Sequence, residues 1–502
     1  MDKLCVMLLS AAGAVALLAA PAGLAAGVVD PHLRTDRSVD TRSAKTIVRD
    51  VVSADMTDEQ KAVAVFNWLR RVIFHSGPEE PLRHDFNLMI NVFGYGSCYM
   101  QTHPLSHLYQ QLGWPCRDWT HKGHHMMEVR YGGAWHCFDP HMTFYVHNRA
   151  EPRAIASVAE LRKDESLAWK AVEEGRACPG YLLCGDKPKW FAGDEGWVQH
   201  RPFRVPHGAD EVFGGITLPR GSRYVRTWMG EKFYKPHGFG RNKGRPYHTC
   251  GRGADRKDPV NWPYWEPYVA GGKGRHSSSG SLEYAPKLTG AGWRDAAIRH
   301  YNLVGEAQGA GPSLHPRVGG VEAEAVFALS CPYILVDGSL ALAGRVGAAG
   351  DRLAVSVSRQ WTKGRPHRVW KEVFTAAEPG DFDTKVDLTE AVEGSLEGLW
   401  LQVSMQAAEP AGTGLSALKL RADFQLNPYA LPQLLPGRNR LLVTTARQDA
   451  PLEVRVAWSE GERWKTKKTF TATVKDRSHE AVIEAAGPKL PRMEAIEFAV
   501  EP

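Results

Sequence analysis

The chain has 502 residues, of which 43% are hydrophobic and 24% charged, values that exclude wholesale disorder, a collagen repeat or a coiled coil. Lys and Arg (62) exceed Asp and Glu (56) by 6, too small an excess to name a nucleic acid or other polyanion as partner. Length alone suggests about three domains, and 49 glycines with 32 prolines promise abundant turns.

At the start of the chain, Lys3 is followed by an apolar run from Leu4 to Ala20 and by small residues at Ala20-Pro21-Ala22. This pattern predicts a secretory signal peptide within residues 1–26, cut after Ala22 or Ala26, and so a secreted or periplasmic protein. No later stretch reaches the ~18 apolar residues needed to cross a bilayer, so no membrane span is expected once the signal is removed. Cys5 falls inside the signal. The other seven cysteines are Cys98, Cys116, Cys137, Cys178, Cys184, Cys250 and Cys331, an odd number that leaves at least one thiol unpaired. Cys178 and Cys184 are close enough to close a small disulfide loop.

Thr57-Asp58-Glu59-Gln60 has the form of a capping box, and Ala62, Phe66, Leu69 and Ile73 recur behind it at helical spacing. A second helix is predicted over 98–112, with Ser97 as its N-cap, Gly113 as its stop and Pro104 as an interior irregularity. Two extended runs then flank Gly132-Gly133, a hairpin signal. A short helical piece is expected near 157–174, and after it a Gly/Pro-rich, aromatic and basic stretch to about 320. From 321 the texture changes to alternating runs such as Leu353, Val355 and Val357, or Leu399, Leu401, Val403 and Met405. These predict β-sandwich structure over 321–430 and a second module, or its continuation, over 431–502.

Cys98, His124 and Asp139 form a chemically coherent set. A thiol at a helix start sits where free N–H groups and the macrodipole favour the thiolate. An imidazole can take its proton and later deliver it to a leaving group, and a carboxylate on the other ring nitrogen fixes the tautomer. If Gly132-Gly133 is a two-residue turn, Tyr131 pairs with Ala134 and Met126 faces Asp139. His124 then lies on the same face, diagonally two positions away. A three-residue turn would flip the parity and favour His125.

These segments carry a resemblance. Gly96-Ser97-Cys98 opening a helix, Gly113-Trp114-Pro115-Cys116-Arg117 after it, His124 through Glu128-Val129 and Trp135 through Asp139-Pro140 together resemble the transglutaminase-like core of the papain-like cysteine enzymes. The helix through residues 61–75 resembles that family's leading helix. The resemblance covers about 95 of the 502 residues. It implies an α+β, transglutaminase-like core over 27–150, which the sequence texture follows with a Gly/Pro/aromatic-rich basic extension, partly β, over 151–320 and the C-terminal β-sandwich modules. It also implies Cys98 as nucleophile, His124 rather than His125 as general base, and Asp139 as the orienting acid. The sequence departs from the family at His125-Met126, at Pro104 and in the density of imidazoles at His103, His107 and His121.

No cofactor and no metal site are expected: His121, His124, His125, His136, His141 and His147 are dense but lack an H-E-x-x-H or comparable ligand spacing. Between Lys232 and Lys257 there are eight basic residues against the single acid Asp255. This run leads into Trp262, Tyr264 and Trp265, candidate contacts for an anionic polysaccharide. The plainer alternative is that these aromatics pin a loop to its neighbours. The leading functional expectation is a secreted cysteine hydrolase or acyl-transferase acting on an amide or peptide bond through a Cys98 thioester. The competing expectations are a carbohydrate-active protein on the same scaffold, or a catalytically silent surface protein.

Overall fold

The computed structural model describes residues 27–75, 85–121, 123–142, 144–150, 153–173, 197–202, 211–234, 260–268, 277–306, 309, 311–361 and 369–502. The expected signal segment, Cys178, Cys184, Cys250 and the basic run over 235–257 lie outside the described residues.

The helical grammar of the first part folds as its sequence signals direct. Thr57 caps the helix Asp58–Val72 through a reciprocal capping box with Gln60. The helix Cys98–Gln110 follows, with Ser97 at its N-cap and Pro104 inside it. Against this helix lies a four-stranded antiparallel sheet in the order Ala134–Phe138, His124–Tyr131, Cys116–His121, Trp197–Pro202. The turn between its first two strands is the two-residue Gly132-Gly133, with φ of +57° and +83°, as a type I′ hairpin requires. Tyr131 therefore pairs with Ala134 and Met127 with Phe138.

Both faces of this sheet are covered. Met127, Val129 and Phe138 join the main apolar core, where Phe138 meets Phe66 and Tyr109 at ring separations of 5.3 and 5.6 Å. Met126, Cys137 and Trp119 point into a smaller core built with the two short helices Val158–Lys163 and Ser166–Glu173.

The rest is predominantly β. A ten-stranded sheet contains Ser222–Thr227, Ser278–Tyr284, Gly414–Leu426, Leu452–Glu460 and Arg492–Val500 among its members. It shares a core with a five-stranded sheet running Ala297–Tyr301, Ala323–Leu329, Leu396–Gln406, Arg352–Trp361, Lys371–Ala376, and Tyr284 of one meets Phe327 of the other at 6.1 Å. The alternation over 321–502 is thus a sandwich signal, as the sequence suggests.

The boundaries at 150, 320 and 430 do not separate sheets, which corrects the linear division. Ser222–Thr227 pairs with Arg492–Val500, and Ser278–Tyr284 with Gly414–Leu426, so 151–320 supplies central strands rather than an appendage. Near the start, Gly27–Val29 pairs with Arg447–Gln448, and His32–Thr35 with Gly437–Thr444. Pairings this remote in sequence leave no local pattern. They have a consequence for the thiol. Asn427 donates to the carbonyls of Val72 and Ile90 at 2.9 and 2.6 Å, and Gln425 donates to that of Val92 at 3.2 Å. The end of the Asp58–Val72 helix and the helical turn Met89–Phe93 that precedes the Cys98 helix are thereby fastened to the β body.

Candidate active site

Cys98 is the first residue of its helix, half-buried and not in a disulfide. Gly96 makes the approach possible: a Cβ there would lie 2.6 Å from the Cβ of Met100 in the first helical turn, closer than side-chain carbons pack. The Ser97 side chain makes no capping bond, so the positive end of the helix dipole is not spent on a side-chain oxygen. Across from it, the backbone N–H of His125 donates to Cys98 Sγ at 3.4 Å.

His124 completes the arrangement from the first position of its strand. Its Nε2 lies 2.6 Å from Asp139 Oδ2 and one ring nitrogen lies within 4.8 Å of Cys98 Sγ; with Nε2 on the carboxylate, Nδ1 is the nitrogen for sulfur. Burial lowers the affinity of this imidazole for a proton, but the Asp139 carboxylate, and after it the Cys98 thiol, outweigh burial and raise His124 to about 10. Asp139 is fully buried. Its Oδ1 accepts from Met142 N–H at 3.0 Å, and its backbone pairs with Phe144 in both directions at 2.9 Å. The carboxylate is thus held at one oxygen by its own loop and offers the other to the imidazole.

The parity question is answered by the two-residue turn. Asp139 meets His124, while the His125 ring lies the other way, with Nδ1 2.9 Å from Asp118 Oδ2 and its face against Tyr99 at 5.1 Å. The loop that holds Asp139 also brings in a group the sequence reading does not place at the site. His141 is buried, its ring 5.0 Å from that of His124 and inclined at 63°. His141 follows Asp139 by two positions, and the Asp139 carboxylate, accepting from the Met142 N–H three residues on, folds the chain back to bring it there.

The other histidines, cysteines and aromatics have structural places. His136 bonds the carbonyls of Ile155 and Tyr131 at 2.6 and 3.2 Å, and His147 bonds Glu59 at 3.0 Å. His121 stacks on Trp197 at 4.2 Å. Cys116 and Cys137 are buried free thiols whose pKa values burial pushes up, which makes them poor nucleophiles. Trp265 is buried, its ring 5.3 Å from that of Phe74 and tilted to it by 56°, and it donates to Arg71 O at 3.2 Å. Tyr264 lies beneath the Arg71 guanidinium at 4.0 Å. These contacts pin the segment to the core, which corrects Trp265 as a polysaccharide contact, because a buried ring has no face for a sugar; Tyr264 is only partly buried against that core. The side chain of Trp262 is outside the described residues.

No protein-family model matches the chain, and no curated protein matches it. Among solved structures it is similar to an allantoicase at 8% identity over 43% of this chain and 88% of that one, with a TM-score of 0.20. A Saccharomyces cerevisiae allantoicase gives 8% identity over 40% and 78%, TM-score 0.18. A Bacteroides uniformis beta-glucuronidase gives 14% identity over 34% and 22%, TM-score 0.14. Likenesses of this extent carry nothing to the chemistry of the thiol.

Proposed function

We propose that this chain is an exported cysteine hydrolase or acyl-transferase with a transglutaminase-like core, acting on amide or peptide bonds. One observation carries the reading: His124 has its Nε2 2.6 Å from the buried Asp139 carboxylate and a ring nitrogen within 4.8 Å of the Cys98 thiol. Cys98 Sγ attacks the substrate carbonyl carbon while its proton rests on His124 Nδ1. The tetrahedral intermediate collapses to a thioester as His124 passes that proton to the leaving amine. Water or a second amine, deprotonated by His124, then displaces the thiolate and gives an acid or a new amide. Asp139 keeps the ring in the tautomer and orientation that both transfers need. The positive end of the Cys98 helix and the His125 N–H favour negative charge on sulfur. Export rests on the leader pattern in residues 1–26 and is tested by N-terminal sequencing of secreted material.

The test uses the full chain against a panel of peptide amides and acidic polysaccharides. Cys98→Ala and His124→Ala each lower turnover of the amide substrate by on the order of 10³-fold or more, and in wild type an iodoacetamide probe labels Cys98. Turnover of a polysaccharide that survives in Cys98→Ala overturns the reading. So does alkylation of Cys98 at the same rate in wild type and His124→Ala.

A further inference from the structure

The site has one more donor than a thiol–imidazole–carboxylate arrangement uses. Cys98 Sγ and one ring nitrogen each from His124 and His141 all lie within 4.8 Å of one another, two of the three residues being buried. We propose that these three groups bind a borderline-soft divalent cation, of which Zn²⁺ is the type, and that the bound ion blocks the nucleophile. The binding stands on the cluster alone; the inhibition rests on the function proposed above.

Donor chemistry sets the choice of ion. One sulfur and two imidazole nitrogens suit zinc and exclude calcium and magnesium, which require oxygen. At Zn–S of about 2.3 Å and Zn–N of about 2.1 Å, tetrahedral donors stand roughly 3.4–3.6 Å apart. Closing the observed cluster onto an ion therefore needs a contraction of about 1 Å, within reach of small side-chain rotations. His124 is already held for this role, because Asp139 on Nε2 leaves Nδ1 for the metal in a carboxylate–histidine–metal relay. The three ligands come from three separate segments: a helix start, a strand start and the Asp139–Phe144 loop. That explains why no ligand spacing is visible in the sequence. Three protein ligands leave a fourth position, which lies towards solvent because Cys98 is only half-buried. Binding is an exchange: the proton shared between Cys98 and His124 Nδ1 goes to solvent, and Zn–S and Zn–N bonds form to the thiolate and the freed Nδ1 with no change in oxidation state. A sulfur so engaged cannot attack a carbonyl.

The experiment measures metal binding and thiol reactivity separately on the full chain. Co²⁺ added in place of Zn²⁺ produces a sulfur-to-cobalt charge-transfer band that is absent in Cys98→Ala. Zn²⁺ at low micromolar concentration slows alkylation of Cys98, read as the ratio of rates with and without the ion in the same variant. His141→Ala, or His141→Asn should the alanine variant misfold, raises the Zn²⁺ concentration needed for half-protection at least tenfold. His147→Ala leaves it unchanged. The proposal is overturned if wild type gives no charge-transfer band, or if His141→Asn protects at the wild-type Zn²⁺ concentration. Absence of amide turnover with the band and protection intact would sink the catalytic reading and leave the cation site standing.

Discussion

The four-stranded sheet beside Cys98 and the five-stranded sheet of the sandwich are both antiparallel and well covered, yet they bury different chemistry. In the five-stranded sheet the inward positions are Ala325, Phe327, Leu353, Val355, Leu401 and Val403, with Ser358 as the lone buried polar side chain among the described residues of its strands. The four-stranded sheet and its flanking loop bury Asp118, His121, His124, Glu128, His136 and Asp139. Removing an ionisable group from water is unfavourable unless each is paired and hydrogen-bonded. The first sheet shows what the chain does when only packing matters. The second carries polar groups that packing would not select, and such concentrations mark chemistry more often than architecture.

The contrast is sharpest at Glu128, which is fully buried. Its Oε2 accepts from Arg117 Nε at 2.6 Å and Trp119 Nε1 at 2.5 Å, and its Oε1 from the Val158 N–H at 2.8 Å. Glu128→Ala leaves three donors without an acceptor, one of them a cation, and should cost about 3–5 kcal/mol of stability. Urea denaturation followed by tryptophan fluorescence measures it. A loss below about 1 kcal/mol would mean that buried charge is as incidental to this region as to the sandwich.

Two imidazoles, His124 buried and His32 partly exposed, make the comparison a matter of pH. His124 has Asp139 largely to itself at 2.6 Å. His32, where the first strands join the C-terminal sheets, has Asp40 at 3.7 Å, but Arg42 already takes both oxygens of that carboxylate at 3.0 and 2.9 Å. Burial, and next the Arg42 charge, outweigh Asp40 and lower His32 to about 3. A folded-state value below the unfolded one near 6.5 means that the unfolded chain binds the proton first. Stability is therefore full above about pH 6.5 and is lost as the pH falls towards 3. His32 should account for up to about 2 kcal/mol of loss by pH 5. His32→Asn should flatten the stability profile between pH 6.5 and 5; an unchanged slope would show that the imidazole is protonated in the folded state.

What is legible in the sequence follows the same division between local and remote causes. The Thr57–Gln60 box, the Gly132-Gly133 turn and the alternation in residues 353–357 or 399–405 are local, and each produces the element it signals. The strand Thr466–Val474 is missed because it exposes most of its side chains, so no apolar face alternates; Lys467 and Lys468 suit an edge strand. Ile334–Val346 is missed because Gly338, Gly344 and alanines dilute its β character, although its inward positions are regularly buried. At the site, Cys98 is legible as the start of a helix, whereas His124 and Asp139 share a face only if the Gly132-Gly133 turn has two residues, a choice that comes from the resemblance. His141 is not legible, because its place depends on a loop folded by a side-chain hydrogen bond rather than on any period.

The smallest effect is expected where the sandwich does carry charge. Arg352 donates to Glu372 Oε2 at 2.6 Å and to Thr375 Oγ1 at 3.2 Å, a geometry as short as that of Arg117 with Glu128. Distance alone would rank the two pairs together. Exposure separates them: Arg352 and Glu372 are 53% and 47% exposed, so water replaces the bond when either partner is removed. Such pairs contribute about 0.2–1 kcal/mol, and a Debye length of roughly 3 Å in 1 M salt should erase even that. Glu372→Gln should shift stability by less than about 1 kcal/mol in low salt and by nothing measurable in 1 M NaCl, with Thr375 retaining its bond to Arg352. Urea denaturation at the two salt concentrations decides it. A salt-independent loss above about 2 kcal/mol would show that this exposed pair acts as Glu128 does, and burial would no longer explain why the two sheets differ.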